Sequence, residues 1–156
     1  MPTYTYTTID DPAANSGVGT VATGINNAGQ IVGYYVNASG VYQGFLYSGG
    51  TYTALSDPLG TNGTYALGIN DSGQIVGYYF DSNHVQHGFL YSGGGTYTDL
   101  AGPAYGINDL GQIVGYQTVG FSPFARCYST AAAPTPPSTI PRLPTAPLHS
   151  ASTTRA

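Results

Sequence analysis

The sequence predicts an all-β chain of antiparallel four-stranded repeats, an incomplete β-propeller-like array of two full blades plus a partial one, followed by a disordered proline-rich tail. Three observations carry this expectation. Two separate sequence blocks recur in fixed order along the first 121 residues. The residues between them favour strands and tight turns: 23 of 156 are Gly and 15 are Tyr, whereas Glu and Lys, which favour helices, are absent. Composition then changes abruptly, with seven of the 11 prolines at or after Pro123.

The first block is Gly24-Ile-Asn-Asn-Ala-Gly-Gln-Ile-Val-Gly-Tyr-Tyr35. It returns at Gly68–Tyr79 and again at Gly106–Tyr116, at offsets of 44 and 38 residues. The second block, Gly44-Phe-Leu-Tyr-Ser-Gly-Gly-Thr-Tyr-Thr53, returns at Gly88–Thr98 with one extra glycine. A third stretch, Tyr52-Thr-Ala-Leu-Ser-Asp-Pro58, matches Tyr6–Pro12 and Tyr97–Pro103. The repeats therefore run over about 20–58, 64–103 and, in part, 104–121, with a leading strand expected at Tyr4–Ile9.

Each full repeat holds four strand-like runs. In the first these are Thr20–Asn26, Gln30–Val36, Val41–Tyr47 and Thr51–Leu55, rich in β-branched and aromatic residues and bounded by Gly, Asn, Asp and Ser. Asn27-Ala-Gly and Asp71-Ser-Gly suit a type I turn followed by a left-handed glycine, closing a hairpin with a bulge. Ser48-Gly-Gly and Ser92-Gly-Gly-Gly suit a second tight hairpin. Along Ile31–Val36, alternate residues point to opposite faces, and both faces are apolar or aromatic. Such a strand is covered on both sides. A four-stranded antiparallel unit of about 40–45 residues, covered by its neighbours, is a propeller blade. Gly33, Gly77 and Gly115 are expected where sheets approach closely, or where a ring from the next sheet needs room.

These blocks, G-I-N-[ND]-x-G-Q-I-V-G-Y followed by G-F-L-Y-x-G-G-x-Y-T, resemble the HAF-type probable extracellular repeat found in many bacterial proteins. His87-Gly-Phe-Leu90 fits that family's H-G-F-L pattern, and Gln43 replaces the histidine in the first copy. The resemblance covers roughly residues 3–120. It implies a propeller-like fold and an extracellular or cell-surface location, and it brings no catalytic activity. The chain departs from the pattern in two ways. Its start lacks the features of a secretory signal peptide. After Phe121 the second block does not return, and Gly120-Phe121 is read as its remnant. The tail, residues 122–156, is read as disordered and partly polyproline II; it is either a genuine tail or the product of a shifted reading frame. Its P-x-x-P matches at Pro134 and Pro141 are chance features of such a composition.

Charge excludes several functions. Charged residues make up 6% of the chain, all seven acids are Asp, and the three Arg residues follow residue 125. Residues 1–125 thus carry no Lys or Arg to neutralise phosphates, and no nucleic-acid partner is expected. No apolar run approaches a membrane span. With Cys127 alone, neither an intramolecular disulfide nor a cysteine zinc site can form.

No enzyme, cofactor or metal site is expected. Gly17-Val-Gly-Thr-Val-Ala22 fits a dinucleotide pattern on paper, but it runs into a strand where a helix is required. His84 and His87, with Asp81, could make three metal ligands. The aligned positions of the first repeat are Asn37, Gly40 and Gln43, so the trio lies outside the repeat pattern and reads more simply as loop residues. Asn70-Asp71 and Asn108-Asp109 lack calcium-loop spacing and read as turn caps. Most aspartates sit at repeat-equivalent turns, and no catalytic carboxylate pair stands out. The sequons at Asn37 and Asn62 would matter only in a secreted eukaryotic protein.

The candidate ligand-binding residues are Tyr34, Tyr35, Tyr78, Tyr79 and Tyr116. Rings at such positions more often fill the space between sheets. If exposed, they form aromatic platforms for glycan or protein. A non-enzymatic binding module is the leading expectation, and a structural or non-functional fragment of a longer repeat protein is the competing one. An open stack of blades leaves uncapped apolar faces, so the chain is expected to self-associate through them.

Overall fold

The computed structural model describes residues 1–118 and the strand at 125–130. The array is all-β, with three antiparallel sheets. Blade 1 consists of β1 (Thr20–Ile25), β2 (Ile31–Val36), β3 (Tyr42–Ser48) and β4 (Thr51–Leu55), in that spatial order. Blade 2 repeats it with β5 (Thr64–Ile69), β6 (Ile75–Phe80), β7 (Gln86–Tyr91) and β8 (Tyr97–Leu100). Blade 3 has β9 (Ala104–Ile107), β10 (Ile113–Thr118) and β11 (Ala125–Thr130). The three sheets form an open array, not a closed ring.

The turns follow from local chemistry. Asn26 Oδ1 accepts the amides of Ala28 and Gln30 at 3.1 and 3.0 Å, and Gly29 adopts φ 74°. Gly73 and Gly111 repeat that conformation after Asn70 and Asn108. Between β3 and β4, Gly49 and Gly50 both have positive φ, as a two-residue primed turn requires.

Within each blade, Gly33 lies opposite Phe45 and Gly77 opposite Phe89. A Cβ on Gly77 would strike the Tyr65 carbonyl and come within 3.0 Å of the Phe89 ring. The ring these glycines accommodate thus belongs to the same sheet, not to the next one. Close approach between blades falls on other glycines. A Cβ on Gly24 would lie 3.0 Å from the Leu67 carbonyl, and one on Gly68 would lie 3.2 Å from Gly106 Cα.

The core lies between the blades. Val32 and Leu55 of blade 1 pack on Ala66, Ile69, Ile75, Tyr79 and Phe89 of blade 2. Val76 of blade 2 packs on Ala104 and Ile113 of blade 3. At one rim, polar contacts link the same pairs of blades. Asn26 Nδ2 donates to the Asn70 carbonyl and Asn70 Nδ2 to the Asn108 carbonyl, at 3.0 and 3.1 Å. The Asp71 carboxylate accepts from the Asn27 amide and side chain, and Asp109 accepts from the Asp71 amide.

Two expectations are corrected. Tyr4–Ile9 is not a strand: among the described residues no sheet neighbour lies beside it, and Tyr4 and Tyr6 are exposed. The boundary placed at 122 also shifts, because residues 125–130 form β11 on the edge of β10. Pairing there uses backbone groups and does not need the Gly-Phe-Leu-Tyr pattern. The supposed remnant at Gly120-Phe121 and the tail at 131–156 lie outside the described residues.

Candidate functional site

The C-terminal ends of β2, β6 and β10 and the N-terminal ends of β3, β5, β7 and β9 meet at the second rim, opposite the Asn–Asp turns. Two features occupy it. The first is an aromatic run. Tyr65 stacks on Tyr42 at 4.8 Å and on Tyr78 at 4.6 Å, with Tyr34 edge-on to Tyr65 at 5.0 Å. Tyr105 stacks on Tyr116 at 5.8 Å, and the Tyr116 hydroxyl donates to Gln86 Oε1 at 2.9 Å. Burial, then the neighbouring phenols of Tyr78, Tyr42 and Tyr34, raise the Tyr65 pKa well above the usual range.

Of the five candidate tyrosines, Tyr34, Tyr78 and Tyr116 are half-buried members of this run. Tyr35 and Tyr79 point to the opposite sheet face and are 5% and 2% exposed. Their rings are core and present no open platform.

The second feature is a cleft on blade 2, where the β4–β5 linker passes over the outer strands. One part, of about 390 Å³, is lined by Leu59, Thr61, Tyr79, Asp81, His87 and Asp99, among others. An adjoining part, of about 330 Å³, shares Pro58, Leu59 and Asp99 and adds Asp57 and Tyr97. The Tyr79 hydroxyl donates to Asp99 Oδ1 at 2.9 Å. His87 stacks on the Tyr79 ring at 5.1 Å, and its Nε2 lies 3.1 Å from Asp81 Oδ2. Asp81 Oδ1 accepts the amides of Asn83 and Val85 at 2.8 and 2.9 Å. The Val85 amide, then His87 and Asn83, hold the Asp81 carboxyl below its ordinary range. His84 is not part of the cluster; it serves the turn, with φ 59° and its amide on the Asp81 carbonyl.

Asp57 is the unusual member. It is 4% exposed; its Oδ1 accepts the Leu59 amide at 2.9 Å, and its Oδ2 has no hydrogen-bond partner among the described residues. Burial raises its pKa against the pull of the Leu59 amide, and Asp99 adds to the rise. Burial, with smaller contributions from Tyr91 and Asp57, pushes the Tyr97 phenol up to about 12.

The sequence sets Asp81 and His87 apart from the repeat but reads them as loop residues, and nothing in it joins them to Asp57 or Asp99. A signal was available in the comparison of repeats. By strand register, Asp81, His87 and Asp99 replace Asn37, Gln43 and Ala54 of blade 1. Tyr79 and Asp57, in contrast, keep their counterparts Tyr35 and Asp11. Three departures from the repeat converge on one cleft. Among the described residues, no group of three His, Cys, Asp or Glu is placed to hold a metal ion, and no helix is long and apolar enough to cross a membrane. No family model, curated protein or solved structure matches the chain.

Proposed function

We propose that this chain is a non-enzymatic repeat module of the extracellular, HAF-like kind that binds a glycan in the blade 2 cleft. The observation that carries this reading is the convergence of Asp81, His87 and Asp99 beside the unpartnered Asp57 Oδ2. Residues needed only for stacking would follow the repeat, whereas these leave it together. A concave site with apolar walls from Pro58 and Leu59 and several convergent carboxylate acceptors suits a polyhydroxylated ligand, whose hydroxyls donate to the acids. The acidic lining also supports a second reading, a protein ligand that inserts a basic side chain. An extracellular or surface location belongs to the same proposal, as does association with further copies through the open blade faces.

A glycan array with the intact chain tests the reading. Specific binding is expected. It should be lost in the triple variant Asp81→Asn, His87→Gln, Asp99→Ala, which returns blade 2 to the blade 1 residues; removing the acceptor of the Tyr79 hydroxyl should cost about 1–3 kcal/mol, so an unchanged strand signal in circular dichroism accompanies the test. Retention of only a basic peptide, with affinity falling steeply as salt rises, would favour the protein ligand. No specific ligand in either class would leave the structural-fragment reading in its place.

A further inference from the structure

The two ends of the array are the two halves of a junction that the chain builds twice internally. On blade 3, Val114 is 52% exposed, although its counterparts Val32 and Val76 are fully buried. Beside it lies an opening of about 330 Å³ lined by Gly106, Ile107, Asn108, Gln112 and Val114. Gly106 takes the position at which Gly24 and Gly68 receive the first strand of the following blade. On blade 1, Ala22 is exposed where Ala66 and Ala104 are buried. The rim complements these faces. Asn26 and Asn70 each pass a side-chain N–H forward to the next blade's carbonyl, and the amides of Asn27 and Asp71 reach the next carboxylate. Blade 3 presents the same forward groups at Asn108 and Asp109, and blade 1 presents acceptors at the Asn26 carbonyl and Asn27 Oδ1.

The strand count points the same way. Blade 3 has three strands, and among the described residues none lies outside β11. Tyr6-Thr-Thr-Ile-Asp-Asp-Pro12 repeats the sequence of β4 and its linker, and it enters blade 1 as β4 enters blade 2. The Asp11 amide donates to Thr20 Oγ1 at 2.8 Å, as the Asp57 amide does to Thr64 Oγ1 at 3.2 Å. The Tyr52 phenol lies beside the Asp10 backbone, as Tyr97 lies beside that of Ser56. The segment at Tyr4–Ile9 thus leads into these contacts as β4 leads into the blade 2 linker, and among the described residues no strand lies beside it.

We propose that two copies of this chain join head to tail, blade 3 of each packing on blade 1 of the other, with Tyr4–Ile9 of each pairing to β11 of its partner. Two copies bring six blades, inside the usual range of about 4–8, and three would bring nine. The contact is heterologous, so it forms a ring where the rotation closes. This geometry rests on the association reading above and specifies it.

Sedimentation of the full chain, of Val114→Asp, of Ile25→Asp and of an equimolar mixture of the two variants tests it. The wild type should sediment at twice 16.1 kDa. Each variant places a charge in both junctions of its own dimer and should associate at least about tenfold more weakly. Mixing should restore a heterodimer, because one junction then joins two unaltered faces. A wild-type chain that stays monomeric at all concentrations would overturn both the geometry and the association. A dimer that survives in both variants, or variants that mixing does not rescue, would overturn the geometry alone. Both substituted residues are exposed in the single chain, and an unchanged strand signal in circular dichroism checks the fold. Cross-linking gives an independent readout. Carrying the β3–β4 register of blade 1 over to β11 sets Ile9 opposite Cys127. Ile9→Cys should therefore yield an intermolecular disulfide under mild oxidation that Thr8→Cys does not, and equal yields would count against the strand pairing.

Discussion

Blades 1 and 2 share sequence, strand order and register, yet Ile25 is 66% exposed and its counterpart Ile69 is 7% exposed. The difference lies entirely in what stands in front of each. Blade 2 has blade 1 on one face and blade 3 on the other. Among the described residues, blade 1 has only the first residues of the chain before it, and these reach its outer strands near Tyr52 but leave its inner strand uncovered. In a stacked repeat, burial belongs to the interface and not to the unit, so identical residues carry different energetic weight by position in the array.

Substitution of equivalent residues should expose that inequality. The largest contrast is expected at the isoleucines. Ile69→Ala removes buried methyl groups between two blades and should cost about 2–5 kcal/mol, whereas Ile25→Ala in dilute solution should stay within about 0.5 kcal/mol. Urea unfolding of the two variants measures both values, and equal losses would break the comparison. A smaller contrast is expected at the turn asparagines. Asn70 is buried, closes its own turn through Gln74 and reaches Asn108 of the next blade. Asn70→Ala should cost about 1–3 kcal/mol by stranding those groups. Asn108 is exposed, and water can replace its bonds to Gln112; its loss should cost less than about 1 kcal/mol.

The smallest expected effect is a pH dependence centred on Asp57. Its pKa is raised in the fold, so the folded chain binds that proton more tightly than the unfolded chain does. Stability should therefore decline as pH rises from the ordinary aspartate range through the folded value, and level off above it. Asp57→Asn keeps an acceptor for the Leu59 amide and should remove this slope. Thermal melts across that range decide it, and an unchanged slope would place the titration elsewhere.

Much of the fold was legible because the local signals agree with one another. The strands of blade 1 begin and end within one residue of the runs read from β-branched and aromatic residues. The turns fall where Asn, Asp and Gly predict them. What was not legible depends on neighbours. Alternation separates Tyr34 from Tyr35, but only the preceding and following sheets decide which ring is sealed. The glycine opposite a ring could be found from the strand pattern. The glycines at the blade junctions could not, because their partner is backbone from another repeat. β11 carries none of the second block, and the sheet edge of β10 places it. Tyr4–Ile9 has strand chemistry, but among the described residues no strand lies beside it. The cleft was hidden for a related reason: Asp99 reads as one polar residue on an outer strand until the register shows that blade 1 has alanine there.

The central claim is that a blade is held by the blades on either side of it. Native-state hydrogen exchange of the full chain, at protein concentrations low enough to disfavour association, tests this most directly. The β5 and β6 amides should be the slowest to exchange, with β1 and β2 opening at clearly lower free energy despite their near-identical sequence. Equal protection of the two blades, or slower exchange in blade 1, would contradict the account.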